Sequence, residues 1–144
     1  MRLWHKDLVQ YLPRQQLLGQ WRECCCIAKS IRDKGTPNHI LVNKIMDYPI
    51  EHFIRYTMLV QCYMLNRDYK LEFEKFIKYF DFAYEDCYDI LTIPIEDVFV
   101  NWHNDRYLVQ CLCNLQEKYD CGGISESEWM VIANRFDEEM RFCP

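Results

Sequence analysis

The sequence predicts an all-α fold, a compact single-domain bundle of four to six helices, on three observations. Apolar residues recur at three- and four-residue steps through several stretches. No run alternates clearly between apolar and polar residues, as a half-buried strand would. Helix boundary signals punctuate the chain at Pro13, Gly35-Thr36-Pro37, Gly122-Gly123 and Ser125–Glu128. The 144 residues suit one domain spanning 1–144, since single domains commonly hold about 100–200 residues.

Residues 1–12 form a lead that ends at Pro13, a residue suited to the beginning of a helix. From Arg14 to about Asp33, Leu17, Trp21, Cys24, Ala28 and Ile31 form one apolar stripe, and Gly35 followed by Pro37 stops the helix. A second helix is expected from Pro49 to about Arg67, with Asp47 as a cap and Ile50, Phe53, Ile54, Thr57, Met64 and Leu65 inward. Residues 71–84 are helix-compatible through Leu71, Phe76, Tyr79 and Phe80, and 86–97 read as a loop broken by Pro94. A further helix covers about 104–119, with Leu108, Cys111, Leu112 and Leu115 inward. Ser125 and Glu128 have the spacing of a capping box for a last helix carrying Trp129, Ile132, Phe136 and Met140.

Composition narrows the function classes. Half of the residues are hydrophobic, which permits a core. No apolar run approaches the ~18 residues of a membrane span, and Met1–Asp7 lacks the apolar centre of a secretory signal, so a cytoplasmic protein is expected. Nine cysteines, odd in number and with three adjacent, read as reduced and mostly buried thiols rather than a disulfide framework. Cys111-Leu-Cys113 has the wrong spacing for a zinc knuckle, so no metal site is expected. The net charge of −5 argues against a generic nucleic-acid binder. Residues 1–56, however, hold nine Lys/Arg against five Asp/Glu (+4), whereas 57–144 hold eight against seventeen (−9). That division either lets one face meet phosphates or is ordinary surface charge.

The first long helix carries the chemistry. Opposite its apolar stripe fall Gln15, Gln16, Gly19, Gln20, Arg22, Glu23, Cys26 and Lys29. Gly19 leaves space for an approach to the backbone, although a glycine inside a helix costs about 1 kcal/mol relative to alanine. This face is either solvated or built to bind. Glu23 lies within plausible reach of the α-amine of Met1, and an amine beside a carboxylate is a minimal apparatus for imine chemistry on a sugar. Elsewhere, Trp4 and Trp21 are either core residues or stacking platforms. His39 is a hydrogen-bonding strut or an acid–base group, and Cys24 and Cys25 point inward while Cys26 joins the polar face.

The stretch Arg14-Gln-Gln-Leu-Leu-Gly-Gln-Trp-Arg22-Glu23, with its short lead, resembles the active-site helix of the phage-type pyrimidine-dimer DNA glycosylases, the endonuclease V-type UV endonucleases. Gln15, Leu17, Arg22 and Glu23 match that helix, residues 38–70 are similar in the order of their His, Lys, aromatic and aliphatic positions, and His103–Glu117 resembles a diverged third helix. The opening from Met1 to Gln20 is closer still to a bacterial branch of the family. The resemblance implies a bifunctional glycosylase and abasic-site lyase that acts as a monomer on double-stranded DNA bearing a lesion or an abasic site, with no metal or organic cofactor. In that reading the terminal amine, assigned to Met1 because Arg2 disfavours methionine removal, attacks C1′, Glu23 supports the cationic sugar and Arg22 holds a phosphate. An α-amine is suited to the task, since its ordinary pKa of about 7.7–8 leaves a useful unprotonated fraction at neutral pH. Arg2, His5, Lys6, Arg14, Gln15, Gln16 and Lys29 are the expected DNA contacts.

Several positions depart from the family pattern. Gln16 replaces a histidine, Cys26 replaces an arginine, and Cys113 and Glu117 stand at two basic phosphate contacts. These departures favour a second reading, a non-catalytic helical module that keeps the fold and binds nucleic acid or protein. The intact Arg22-Glu23 pair favours the enzyme.

Overall fold

The protein is described by a computed structural model at residues 1–81 and 87–144, with the backbone alone at 87 and 88. Among the described residues, seven α-helices take the labels α1 (Arg14–Lys34), α2 (Ile50–Asn66), α3 (Phe73–Tyr79), α4 (Cys87–Leu91), α5 (Asp105–Asp120), α6 (Glu126–Arg135) and α7 (Asp137–Met140). Short 3₁₀ helices run over Lys6–Tyr11, Asn43–Asp47 and Ile95–Asp97. The described residues contain no strand, and five of the α-helices have seven or more residues, as expected of an all-α bundle. Among the described residues, no helix is long and apolar enough to cross a membrane.

Local chemistry sets the helix ends. Pro13 stands just ahead of α1, and Gly35 closes it at φ 74°, donating its N–H to Ile31 O at 2.8 Å. That left-handed conformation strains residues with a Cβ. Asn104 caps α5, its side chain accepting from Tyr107 N at 3.0 Å. The capping box at Ser125 and Glu128 is present, and Glu128 also accepts from Arg14 N at 2.9 Å. One carboxylate therefore starts α6 and ties it to the first turn of α1. These bonds, the Arg14 amide first among them, hold the Glu128 carboxyl below its ordinary range.

α1 packs against α2 and α3, α2 covers the first 3₁₀ helix, and α5 packs against α6 and α7. Phe53, Tyr56, Leu17, Ile27, Leu8 and Phe99 are fully enclosed at the centre. Five expectations are corrected, the first being an inward Leu65 on α2, which is exposed instead. Asp47 ends a 3₁₀ turn instead of capping α2, which is preceded by Pro49. Part of the expected 86–97 loop is helical, as α4 and Ile95–Asp97. The last helix is divided at Phe136 into α6 and α7. The thiols are not mostly buried: Cys24, Cys25 and Cys111 are, but Cys26, Cys62 and Cys121 are exposed. α3 ends at Tyr79, and the expectations for residues 82–86, including the acidic Glu85 and Asp86, lie outside the described residues.

Candidate active site

The lead is not a loose arm. Leu3, Trp4, His5 and Lys6 are all buried, and their backbone is gripped from three helices. From α1, Gln20 accepts from Trp4 N at 2.7 Å and donates through Nε2 to Arg2 O at 2.9 Å. The two bonds require opposite ends of the amide, so they fix its orientation. From α2, Tyr56 Oη stands 2.6 Å from Trp4 O and 3.0 Å from Gln20 Oε1. A phenol has one proton, and the shorter contact takes it. From α5, Tyr107 Oη donates to Leu3 O at 2.6 Å. Burial pushes both phenols well above their ordinary pKa, so both remain donors.

This grip brings the chain start to Glu23. The Arg2 backbone N–H donates to Glu23 Oε2 at 3.0 Å. Glu23 is half-buried on α1, and Gln16, Gln20 and Glu23 follow one another at helical spacing. Met1 is 43% exposed beyond this contact, so the nitrogen held at the carboxylate belongs to residue 2. Gly19 lies on the same side of α1, and a methyl group there would meet no atom within 4 Å. The space expected beside Glu23 is open.

The other sequence-predicted residues divide into several places. Arg22 is exposed and faces a different groove, of about 190 Å³, lined with Trp21, Met64, Lys70, Glu72 and Lys75. Neighbours in sequence point about 100° apart on a helix, so the Arg22-Glu23 pair serves two surfaces. Arg14 stacks its guanidinium over Tyr69, 4.9 Å from the ring centre, and stands about 13 Å from Glu23 along the α1 axis. Gln15 and Lys29 are exposed. Gln16 is half-buried, with its Oε1 enclosed and unpaired. Arg2 is half-buried, with its guanidinium 5.3 Å from the centre of the Trp4 ring.

His5 and Lys6 are corrected. Their side chains do not reach the surface as DNA contacts. His5 accepts through Nδ1 from Asp7 N at 3.2 Å and stacks on His103 with ring centres 5.2 Å apart. The Lys6 ammonium donates to the Glu96 and Val98 carbonyls at 2.7 and 2.8 Å, while its backbone N–H donates to His103 Nδ1 at 3.0 Å. A buried ammonium needs such partners, and these two tie the lead to the 3₁₀ turn before α5. Accepting at Nδ1 leaves the His103 proton on Nε2, which is enclosed without a partner. Burial first, then repulsion from His5 and Lys6 themselves, holds His103 well below its ordinary pKa, and burial also lowers His5. Trp4 and Trp21 are core residues at 7% and 8% exposure. His39 accepts at Nδ1 from Leu41 N, which makes it a strut.

Beside Arg2 opens a cleft of about 580 Å³, between the loop at Ile40–Lys44 and the start of α5. Sequence reasoning missed this cleft and the grip of Gln20, Tyr56 and Tyr107. None has a local motif, because each joins residues far apart in the chain. Among the described residues, no group of three or more His, Cys, Asp or Glu side chains could hold a metal ion.

Fold and site together define an all-α protein whose N-terminal segment is folded back onto a carboxylate of its longest helix. The family model for pyrimidine dimer DNA glycosylase matches residues 1–76, over half of the chain, and the chain belongs to that family. Membership supports a role as a glycosylase acting on pyrimidine-dimer damage in DNA. The matched span holds the lead, α1, α2 and the beginning of α3, whereas α5, α6 and α7 lie beyond it. No curated protein and no solved structure matches the chain.

Proposed function

We propose that the protein is a bifunctional DNA glycosylase and abasic-site lyase whose N-terminal α-amine forms an imine with the sugar of the damaged nucleotide. One observation carries the reading: the residue 2 nitrogen lies 3.0 Å from Glu23 Oε2, on a backbone held by Gln20, Tyr56 and Tyr107. Met1, exposed and one residue further out, has its amine within about 3.8 Å of chain from that point. The mechanism requires rotation about the Met1–Arg2 bonds to bring the amine to the carboxylate.

The unprotonated amine attacks C1′, and the bond from C1′ to the base breaks with its electron pair leaving on the base. Loss of a proton from the new ammonium and opening of the ring oxygen give the imine. Glu23 stabilises the cation at C1′. Removal of a proton from C2′, again at Glu23, expels the 3′ phosphate by β-elimination and cuts the strand. Arg22, with Lys70 and Lys75 nearby, holds a flanking phosphate in the second groove. The substrate is duplex DNA carrying a pyrimidine dimer or an abasic site.

Borohydride reduction tests this directly. Protein incubated with duplex DNA bearing an abasic site is expected to yield a covalent adduct after reduction, with the linkage mapped to the first residue. Glu23→Gln is expected to lower strand cleavage by at least about a hundredfold, in the range for loss of one catalytic carboxylate. Besides the departures at Gln16, Cys26 and Glu117, one contact favours the alternative, a binding module: an amide, not an amine, occupies the Glu23 carboxylate. Tight binding to damaged DNA with no adduct would decide for that alternative.

A further inference from the structure

Two thiols thirty positions apart in the chain meet where the segment after α7 returns to α5. Cys113 Sγ donates to Cys143 Sγ at 2.6 Å, and Cys143 Sγ lies 3.9 Å from Val109 O, the acceptor for its own proton. Both thiols are free and half-buried. Packing holds them together: α7 lies on α5, and Met140 and Cys143 rest against the core. A disulfide bond is about 2.0 Å long, so closure asks the two sulfurs to approach by only about 0.6 Å. On α5 itself no rival stands close. Cys111 is two residues away, about 200° around the helix, and buried in the core. Cys121 is eight residues on, about 12 Å along the axis, whereas the Cα atoms of a bridged pair lie within about 7 Å.

Cys113 is the member of the pair that a small oxidant reaches. It lines a groove of about 380 Å³ with Glu117, Asp120, Cys121 and Pro144, and Cys143 lies behind it. Burial first, then the adjoining Cys113, pushes the Cys143 thiol up to about 12, so it keeps its proton at neutral pH. We propose that Cys113 and Cys143 form a dithiol site that hydrogen peroxide oxidises to a disulfide, fastening the segment after α7 to α5. The Cys113 thiolate, its proton lost to water, attacks one peroxide oxygen. The O–O bond breaks, leaving a sulfenic acid on Cys113 and a hydroxide that recovers the lost proton. The Cys143 sulfur then attacks the Cys113 sulfur, the S–S bond forms and the S–O bond breaks. The departing hydroxide takes the Cys143 proton and leaves as water. The two thiols lose two protons and two electrons, and the peroxide becomes two waters. The site lies apart from Glu23, and the inference does not rest on the glycosylase reading.

Oxidation of the full chain tests this. The reduced, folded protein is treated with a small excess of hydrogen peroxide, digested without reductant, and its peptides are mapped by mass spectrometry. A peptide joining Cys113 to Cys143 is expected, with the nine titratable thiols falling by two. The oxidised protein is expected to melt about 5–10 °C above the reduced one, because the link closes a loop of thirty positions in the unfolded chain. Dithiothreitol should reverse both changes. Cys143→Ser is expected to melt close to the reduced parent and to lose both the link and the shift on oxidation. The parent's own peptide map and melting shift carry the test should that variant fail to fold. Peroxide that links other cysteines instead, or takes Cys113 to a sulfinic acid with no link, overturns the inference. So does a Cys113–Cys143 link that forms only after unfolding in urea, or one that leaves the melting temperature unchanged.

Discussion

Gln20 lies on the polar side of α1, yet it is 1% exposed and bonds both faces of a peptide segment sixteen residues or more away. It holds the Trp4 N–H and the Arg2 carbonyl while Glu23, one turn on, takes the Arg2 N–H. Gln20→Leu keeps the volume but strands both groups. A buried polar group without a partner costs about 1–3 kcal/mol, so a loss of about 2–4 kcal/mol is expected in urea unfolding. Imine formation should fall with it, because the chain start is then free to move from Glu23. A Gln20→Leu protein as stable as the parent would contradict this account of the lead. Glu23→Gln is the complementary change. Its amide oxygen can still accept from Arg2 N, so folding should survive while cleavage is lost.

At the scale of elements, α1 serves two purposes at once. Its inner stripe of Leu17, Trp21, Cys24 and Ala28 is core, and the line through Gln16, Gln20 and Glu23 receives the lead. Gly19 is the one position along that line where a side chain is absent and space is open. Alanine fits there and removes the entropic cost of glycine, so Gly19→Ala is expected to stabilise by about 0.5–1 kcal/mol. In a chain of this length that is a rise of roughly 2–4 °C in melting temperature. If substrate enters by that space, the same variant cleaves damaged DNA more slowly. A Gly19→Ala protein that is both more stable and fully active would show that the gap serves no approach.

Elements of this kind were legible where their signals are local. Gly35 after α1, the Ser125–Glu128 box and the glycines after α5 each act within one helical turn, and each matches. The inward Cys24 and Cys25 and outward Cys26 follow from periodicity alone. His5 and Lys6 were not legible, since nothing near them in sequence reveals the Glu96 and Val98 carbonyls or the His103 ring that enclose them. The 3₁₀ helix Lys6–Tyr11 escaped notice because tertiary bonds hold it, among them Arg67 donating to the Leu12 and Gln10 carbonyls at 2.7 Å. Phe99 belongs to the same group. It adopts φ 53°, unusual for a bulky residue, at the turn that presents Trp102 and His103 to the lead. Of the site, the Glu23 helix and its approach to the chain start were foreseen; the cleft and the clamp required the fold.

The whole molecule carries two further consequences. His103, His5 and His52 are all held below their ordinary pKa, with burial the first cause in each case. In the unfolded chain they take up protons near pH 6.5, whereas the folded protein keeps them neutral to lower pH. The unfolded state therefore binds more protons below that pH, and stability that is full above about 6.5 declines as pH falls through it. Melting temperatures measured from pH 8 to pH 5 should show this decline, and His103→Gln, which can still accept from Lys6 N, should reduce it. A flat profile in the parent would mean that these rings are not buried neutral. The second consequence concerns charge. Residues 1–56 carry a +4 balance, and Arg2, Lys44 and Arg106 line one cleft of a protein whose remaining residues are acidic in balance.

Catalysis in this account depends on one free amine beside Glu23. The most direct measurement compares borohydride trapping on abasic DNA for protein with its native first residue and for the same protein acetylated or extended at the N-terminus. An adduct is expected with the first and none with the others, while binding to damaged DNA persists in the acetylated form. An adduct of undiminished yield after blocking would place the nucleophile on a lysine side chain and contradict it.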